Sequence, residues 1–215
     1  LELLKNFSSA LIEDFVPRNF DKSWKLGDVI KVRKGVTYKS TDYSDKENGI
    51  PLLNLKSIER GGGFNKAGIK YYKGSHEESH LAKNTDLIIA CTDITRAGNV
   101  VGYPLNPSVY QNQKILFTMD LMAIEITSKE LIRDYLYYAL KSKLIHWKLF
   151  ANSPGTTVLH LDSKGMLKIK IPKFSIENQE IRVKKLKEID KNILLLQEKI
   201  DSSRPLMKSL INRIF

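Results

Sequence analysis

The sequence predicts a mixed α+β (α/β) protein, in which a globular domain with a twisted mixed sheet and flanking helices precedes a long, coiled-coil-forming α-helix. Two observations predict this class. Between residues 24 and 126, short apolar runs with many β-branched residues alternate with turn signals, as is typical of strands. After Ser175 an apolar repeat of seven residues begins, which is typical of a coiled coil. We therefore divide the chain into residues 1–20, 21–173 and 174–215.

The first elements follow from the spacing of apolar residues. Leu4, Phe7, Leu11 and Phe15 share one face of a short amphipathic helix, which Pro17 ends. Between turn signals, six runs then have the length and composition of strands. These runs are DVIKV, IPLLNL, GIKYY, DLIIAC, NVVGY and ILFTMDLMAIEI.

A single long helix is predicted over residues 127–151. It opens with Thr127 and Glu130 in capping-box spacing and carries apolar residues along one face. The segment NSPGTT, which starts at Asn152, ends this helix. The alternating run LKIKIP then gives a last strand before the chain enters its C-terminal region.

The C-terminal repeat has apolar residues at eight of the nine a and d positions between Leu186 and Ile214. Such a narrow seam favours pairing with another helix, although packing back on its own domain is the alternative. We expect Pro205 to kink or restart the helix near residues 202–204. The predicted helix-pairing residues are Leu186, Ile189, Ile193, Leu196, Ile200, Met207 and Leu210.

The charge of the chain favours an anionic partner. The formal net charge is +11, and residues 24–172 carry 22 basic against 14 acidic side chains. Nucleic acid is the commonest partner of such a surface, while a generally basic surface without a partner is the alternative.

The composition also limits the compartment. The single cysteine, Cys91, excludes an intramolecular disulfide, and no apolar run approaches the roughly 18 residues that cross a bilayer. We expect no membrane contact and a location in a reducing cytoplasm. A start at Leu1 suggests a fragment or a processed chain.

Basic, amide and hydroxyl side chains lie beside aromatic residues on the predicted loops. Arginine can pair with guanine, and Asn or Gln with adenine, whereas lysines and hydroxyl groups more often hold phosphates. Direct reading of DNA needs these residue types, although ordinary polar loops contain them too. The candidate DNA-binding residues are Arg33, Lys34, Tyr38, Lys39, Ser40, Thr92, Thr95, Arg96, Asn99, Asn112, Gln113, Lys114, Thr156 and Thr157.

Two motifs of enzymes occur in the wrong context. The pattern His-Glu-x-x-His, from His76 to His80, holds zinc in metalloproteases when it lies within a long helix. Here a predicted strand follows within a few residues, so we interpret the motif as a solvated turn or short helix. NPSVY, from Asn106, resembles the Asn-Pro-Pro-aromatic loop of adenine methyltransferases but lacks the second proline. We predict no catalytic residue and no metal ligand.

Seven segments, taken in order, carry a family resemblance. They are WKLGDVIKVRKGVTYKS (24–40), GIPLLNLKSI (49–58), LAKNTDLIIACTDITRAG (81–98), NQKILF (112–117), DYLYYALKS (134–142), GTTVLHLDSKGMLKIKIP (155–172) and ENQEIRVKKLKEIDKNI (177–193). Each segment is loosely defined by itself, but together they cover nearly the whole chain. On these segments the chain resembles the specificity subunit of type I restriction-modification systems.

The resemblance implies a target recognition domain over residues 21–173, between the tail of one conserved helix (1–20) and a second conserved helix (174–215). In that family two recognition domains each read half of a split DNA site, and antiparallel helices space them. The implied partners are double-stranded DNA, modification subunits, optionally restriction subunits, and a second copy or recognition half bound through the long helix. The modification subunits bind S-adenosylmethionine and methylate adenine, so this chain is expected to be non-catalytic and without its own cofactor.

The junction before the last helix departs from the family pattern. The usual Pro-Pro-x-x-Glu-Gln is replaced by PKFSIENQE, which has one proline and an inserted Asn178. Because recognition loops differ between members, no base-reading residue is carried over. One other class stays open, a coiled-coil scaffold that binds nucleic acid through charge alone, with salt-sensitive affinity and no sequence preference.

We predict that Arg96→Ala weakens binding to the correct DNA site more than binding to random duplex, because a guanine contact would carry sequence information. Titrating both duplexes with parent and variant measures this difference. An equal loss on both would mean that Arg96 holds only phosphate.

Overall fold

The structure, a computed structural model, describes residues 1–95, 97–105, 110 and 112–214, with side chains up to Pro205. The helices of this part of the chain are α1 (Glu2–Glu13), α2 (Leu26–Val29), α3 (Arg133–Lys141), α4 (Lys143–Ala151), α5 (Ser163–Leu167) and α6 (Ile176–Ile214). Of these described helices, none has a stretch that is both long and apolar enough to span a membrane.

A three-stranded antiparallel sheet lies in the core, with its strands in the order β2 (Ile30–Lys34), β9 (Leu121–Ile126) and β6 (Leu87–Ala90). The register places Met122 of β9 opposite both Lys34 of β2 and Ile89 of β6. The carboxyl ends of β2 and β6 therefore lie at the same end of the sheet, where β9 begins.

Both faces of this sheet are covered. Leu87 and Ile89 belong to a core cluster that includes residues of α1, α3 and α4, whereas Ile88 and Ala90 belong to a second cluster on the opposite face. All four residues of β6 are buried. This double burial explains why DLIIAC is a continuous apolar run, since alternation is expected only where one face meets water.

The remaining strands form one further sheet and two ribbons. The sheet has the order β3 (Tyr43–Ser44), β5 (Lys70–Tyr72), β4 (Ile50–Leu53) and β8 (Leu116–Phe117), and only its β4–β8 pairing is parallel. The ribbons pair β1 (Ser23–Lys25) with β11 (Lys170–Pro172), and β7 (Thr92–Asp93) with β10 (Leu159–His160). The predicted mixed α+β class is confirmed, with the strands distributed over several sheets.

The prediction of one long helix over residues 127–151 is wrong. Ser142 separates α3 from α4, because its backbone is extended (φ −63°, ψ 145°) and its hydroxyl donates to the carbonyl oxygen of Ala139 at 2.6 Å. A serine hydroxyl bonded to a nearby carbonyl offers the backbone an alternative to the helix. The strand predicted for NVVGY is also wrong, since residues 99–103 form turns and Gly102 has a φ of 78°.

The start of α3 is fixed by Gln179, a buried residue in the first turn of α6. Its side-chain oxygen accepts a hydrogen bond from the backbone N–H of Ile132 at 3.0 Å. Its amide nitrogen donates to the carbonyl oxygens of Glu130 (2.7 Å) and Phe174 (2.9 Å). Because α3 begins only at Arg133, this side chain replaces the predicted Thr-x-x-Glu capping box.

The first half of α6 packs against its own domain. Val183 and Leu186 are buried in the core beside α1 and α3. The carboxylate of Asp190 accepts hydrogen bonds from the hydroxyl groups of Ser8 (3.3 Å) and Tyr138 (2.8 Å). Leu186, which the repeat assigns to pairing with another helix, is thus used within the domain.

The second half of α6 exposes apolar side chains. Leu194 is 58% exposed, Leu196 40% and Ile200 39%, while Ile189 and Ile193 are half-buried. The side chains of Met207 and Leu210 lie outside the described residues. The helix does not restart near residues 202–204, because α6 continues through Pro205. A kink at this point stays a prediction.

We predict that the double substitution Ile193→Asp and Leu196→Asp abolishes pairing through α6, because it places two charges in the apolar seam. Light scattering over a concentration series measures the effect. Lys184→Asp with Lys191→Asp is the matched control, since both lysines are exposed and lie off the seam. A seam mutant that retains the mass of the parent assembly would contradict the prediction.

Candidate nucleic-acid interface

Three of the four candidate loops meet at one end of the three-stranded sheet. Asp120 precedes β9 and Cys91 follows β6, so the register brings these two residues side by side. Lys34, which ends β2 opposite Met122, lies at the same end of the sheet. The backbone N–H groups of Cys91 and Thr92 donate to the carbonyl oxygen of Asp120 at 2.9 and 3.3 Å. We call this surface the Asp120 edge and define it by Lys34, Cys91, Thr92, Met119 and Asp120.

The first loop, after β2, is anchored to this edge. Val36 exchanges backbone hydrogen bonds with residues 117–119, and the hydroxyl of Tyr38 donates to the carboxylate of Asp120 at 3.5 Å. Burial, together with Tyr43 and Asp120, raises the pKa of Tyr38, so its phenol keeps the proton that it donates. The exposed candidates on this loop are Lys34, Lys39 and Ser40.

The second loop, after β7, is organised by the buried carboxylate of Asp93. It accepts hydrogen bonds from the hydroxyl and backbone N–H of Thr95, both at 2.7 Å, and from the N–H groups of Val100 (2.7 Å) and Val101 (3.1 Å). Burial by itself raises the pKa of Asp93, but these hydrogen bonds outweigh it and lower the pKa. A charged carboxylate therefore holds the loop closed at neutral pH.

The side chains of the second loop differ in exposure. Thr92 is buried and its hydroxyl donates to the carboxylate of Asp120 at 3.3 Å. Thr95 and Asn99 are partly exposed, and the Asn99 amide donates to the Thr95 hydroxyl at 3.4 Å. Arg96 lies outside the described residues.

The third loop carries Thr156 and Thr157, both exposed. It leads into β10, whose His160 lies opposite Thr92 of β7, so the loop stands next to the Asp120 edge. Gly155 has a φ of 147°, and a Cβ there would lie 1.9 Å from the carbonyl oxygen of Val158. Only glycine fits this turn, which aims the two threonines outward.

The fourth loop lies elsewhere. The backbone N–H of Asn112 donates to the side-chain oxygen of Asn84 at 2.8 Å. The side-chain amide of Asn84 donates to the side-chain oxygen of Asn112 at 3.1 Å. Asn84 precedes β6, whereas Thr92 follows it, so the strand separates the two places by at least roughly 13 Å at about 3.3 Å per residue. The structure therefore does not bring the exposed candidates Asn112, Gln113 and Lys114 to the Asp120 edge.

Arg33 makes its contacts inside the domain. Its guanidinium pairs with the fully buried carboxylate of Asp86, donates to the carbonyl oxygen of Ser79 and lies 5.5 Å from the centre of the Phe117 ring. Burial raises the pKa of Asp86, while the backbone N–H of Lys83 and the charge of Arg33 oppose this shift. The guanidinium is occupied by these contacts, so we leave Arg33 out of the surface proposed below to contact DNA.

The His-Glu-x-x-His segment does not form the long helix of a zinc site. Residues Glu78–His80 form a single 3-10 turn, and the ring of His80 accepts a hydrogen bond from the N–H of Glu77 at 3.1 Å. Among the described residues, no three His, Cys, Asp or Glu side chains lie close enough together to hold a metal ion. Of NPSVY, only Tyr110 is described, and it is buried.

Several residues at or beside the edge are not found from loop composition. Ile94 is 75% exposed and Met119 48%, and such apolar groups can contact the methyl group of thymine. The N–H of Gly61 donates to the carbonyl oxygen of Asn99 at 3.1 Å, which brings the exposed Arg60 next to the second loop. The strand register places Met119 at the edge, because it lies just before β9. Ile94 lies within the second loop, and its apolar side chain among polar candidates is the signal in the sequence. Arg60 is placed only by the hydrogen bond of Gly61, for which the sequence gives no signal.

Solved structures of two known proteins share this fold. An HsdS subunit from Thermoanaerobacter tengcongensis has a TM-score of 0.59 and is 18% identical in sequence. The match covers 92% of this chain and 46% of that subunit's chain. The S subunit of a type I restriction-modification system from M. genitalium is 16% identical with a TM-score of 0.63, over 88% of this chain and 44% of its own. The shared fold is therefore that of restriction-modification specificity subunits.

The sequence comparisons identify the family. Residues 19–202 match the family described as "Type I restriction modification DNA specificity domain", and the chain belongs to this family. The EcoBI specificity subunit of Escherichia coli is 22% identical over 76% of this chain and 32% of its own length. The MjaVIII specificity subunit of Methanocaldococcus jannaschii is 22% identical over 97% of this chain and 48% of its own length. The chain thus spans a third to a half of these relatives.

We predict that Asp93→Asn lowers the free energy of unfolding by about 2 kcal/mol at pH 7, because it removes charge-assisted hydrogen bonds from a buried acceptor. The folded pKa lies below the unfolded value of about 3.9, so this stabilisation is present above that pH and is lost as the pH falls through the folded pKa. Urea unfolding of parent and variant at several pH values measures it.

The exposed Asp28→Asn is the control for this variant and should leave stability within about 0.5 kcal/mol of the parent. A difference between parent and Asp93→Asn that stays constant down to pH 2 would contradict the assigned role of the carboxylate.

Proposed function

We propose that this chain is a sequence-reading DNA module that recognises one half of a bipartite double-stranded site, as one recognition domain of a type I specificity subunit. The observation that supports this most directly is the Asp120 edge. Three loops with exposed or partly exposed basic, hydroxyl and amide groups meet at one end of a sheet that is buried on both faces. Reading side chains must be held in a fixed geometry, and such a sheet provides the rigid base.

The residues at the edge have complementary chemical abilities. Lys34 and Lys39 are exposed cations that suit phosphate oxygens. Asn99 and the hydroxyl groups of Thr156 and Thr157 can bond to base edges. The excess of basic residues in the domain adds affinity for any duplex, so the edge must supply the discrimination between sequences.

The proposed partners follow from family membership and from the helices. We propose that α1 and α6 dock the modification subunits, which bring S-adenosylmethionine, and that this chain itself catalyses nothing. A structure described as showing complex assembly of the type I R-M system covers 97% of this chain with a TM-score of 0.59, which supports this use of the fold. A second recognition half, or a second copy, would pair through α6, restriction subunits are an optional partner, and the complex would act in the prokaryotic cytoplasm.

One observation favours a second candidate function. The exposed Leu194, Leu195 and Leu196 suit a scaffold that joins proteins through its coiled coil and binds nucleic acid by charge alone. Such a scaffold would bind all duplexes alike, and its affinity would fall steeply with salt.

Selection from a randomised duplex pool, at about 50 and about 150 mM salt and with the cognate modification subunit present, tests the proposal. We expect a short fixed sequence to be enriched at both salt concentrations, because base contacts are less sensitive to salt than phosphate contacts. Asn99→Ala with Thr156→Ala should lose or change that sequence.

The control variant is Asn112→Ala with Gln113→Ala, at the opposite end of β6, which should keep the parent sequence. An unenriched pool whose binding disappears at the higher salt would favour the scaffold. Loss of enrichment in the control variant alone would place the reading surface at the fourth loop and not at the Asp120 edge.

A further inference from the structure

A second basic surface lies beside the Asp120 edge, on α4, α5 and the β1–β11 ribbon. Its centre is Trp147, whose side chain is 67% exposed. With Lys148, Lys168 and Lys170 it lines a shallow depression of about 390 Å³. We call this surface, including Lys25 of β1, the Trp147 face.

Lys25 and Lys170 form a like-charged pair on this face. They are directly opposite each other in the antiparallel register of β1 and β11, and both are exposed. Like charges at directly opposite positions destabilise a ribbon. The buried neighbours Trp24 and Ile171, also opposite each other, hold the ribbon together in spite of this repulsion.

The lysines of the Trp147 face lack anionic partners in the part of the chain that the structure describes. Among the residues that the structure describes, Lys25, Lys148, Lys168 and Lys170 form no ion pair. The nearby carboxylate of Asp162 instead accepts the backbone N–H groups of Lys164 and Gly165, at 3.0 Å each, at the start of α5. The charge of the face is therefore available to a ligand.

The Trp147 face adjoins the third loop, which begins at Asn152 and stands next to the Asp120 edge. Trp147 lies four residues before the end of α4, or roughly 6 Å along the helix axis. The third loop begins directly after α4, and the N–H of Asp162 donates to the carbonyl oxygen of Asn152 at 2.8 Å, which ties the start of α5 to that loop. One turn of B-DNA is about 34 Å long, so a duplex on the edge would pass close to this face.

We propose that the Trp147 face binds the phosphodiester backbone of duplex DNA that flanks the recognised half-site, without reading its sequence. This proposal rests on the proposed function. The lysines would hold phosphates as point charges, and the indole of Trp147 would pack its flat apolar surface against a deoxyribose. At least half of protein–DNA hydrogen bonds go to phosphate and sugar, so a site of this kind complements a few base contacts.

The contact of the Trp147 face with the third loop, which stands next to the Asp120 edge, is what favours DNA over an acidic protein surface. An acidic partner protein would satisfy the same lysines, but nothing in its chemistry would require the face to adjoin the loops that carry Thr156 and Thr157. A duplex requires this arrangement, because its charge repeats along its whole length.

The test compares the full chain with the triple variant Lys25→Gln, Lys168→Gln and Lys170→Gln, with the modification subunit present. The duplexes are the one enriched by selection, the same site with one flank shortened, and a random sequence. Each phosphate contact that is lost lowers the slope of log K against log salt by about 0.9, so we expect a decrease of about 2 to 3. The affinity at about 150 mM salt should fall at least about tenfold, equally for the enriched and the random duplex.

The matched control is Lys46→Gln, Lys66→Gln and Lys129→Gln, which removes the same charge from exposed positions outside α1, α6 and both basic surfaces. It should leave the salt slope within about one unit of the parent. Shortening the flank should weaken the parent and leave the triple variant unchanged, because the triple variant no longer uses that flank.

Three results would overturn the proposal. If the triple variant binds as the parent does while the parent still prefers its site, the Trp147 face is not used and the proposed function stands. If the variant keeps its DNA affinity but no longer retains the modification subunit, the face binds an acidic protein. If the parent itself shows no sequence preference, the proposed function fails and the flanking-site proposal fails with it.

Discussion

The antiparallel register of β9 between β2 and β6 is the constraint on which the rest of the structure depends. Because the side chains of β6 alternate between two core clusters, a shift of one residue would send each of them to the other cluster. Packing therefore fixes the register, and the register fixes where Lys34, Cys91 and Asp120 lie. The geometry of the Asp120 edge is thus set by the core, so the sequences of its loops can vary without moving their starting points.

The sequence predicts which residue types are available for DNA contact but not which of them lie together. Local composition treats Asn112 and Asn99 alike, yet β6 separates them, since their positions depend on strand pairing over many residues. Arg33 shows the same limit, because a basic residue beside an aromatic looks like a phosphate or base contact until its buried partner Asp86 is known. The apolar runs predict most strands and both terminal helices correctly, since burial alone determines that pattern.

Side chains distant in sequence also explain the errors in the helices. A capping box is a local signal, but the side chain of Gln179 satisfies the start of α3 from another helix, so the helix begins later. The heptad repeat correctly predicts a long α6. In its first turns, however, a helix that pairs with another helix and a helix that packs on its own core carry apolar residues at the same positions. Leu186 packs in the core because α1 and α3 lie beside it. Only farther along, from Leu194, does the helix leave the domain and expose its apolar residues.

If the proposed function is correct, the Trp147 face would supply affinity for DNA and the Asp120 edge would supply discrimination between sequences. Phosphate contacts raise affinity for every sequence, and discrimination depends on the ratio between the correct site and all others. Lysines on the Trp147 face would strengthen binding to the correct site and to other sequences equally, so the ratio of the two affinities would stay unchanged. The few polar groups of the Asp120 edge would therefore have to discriminate between sequences. Those groups discriminate only if their geometry is fixed, because a mobile side chain adapts to the wrong base. The buried carboxylate of Asp93, which holds the second loop, would therefore be as necessary to reading DNA as the residues proposed to touch it.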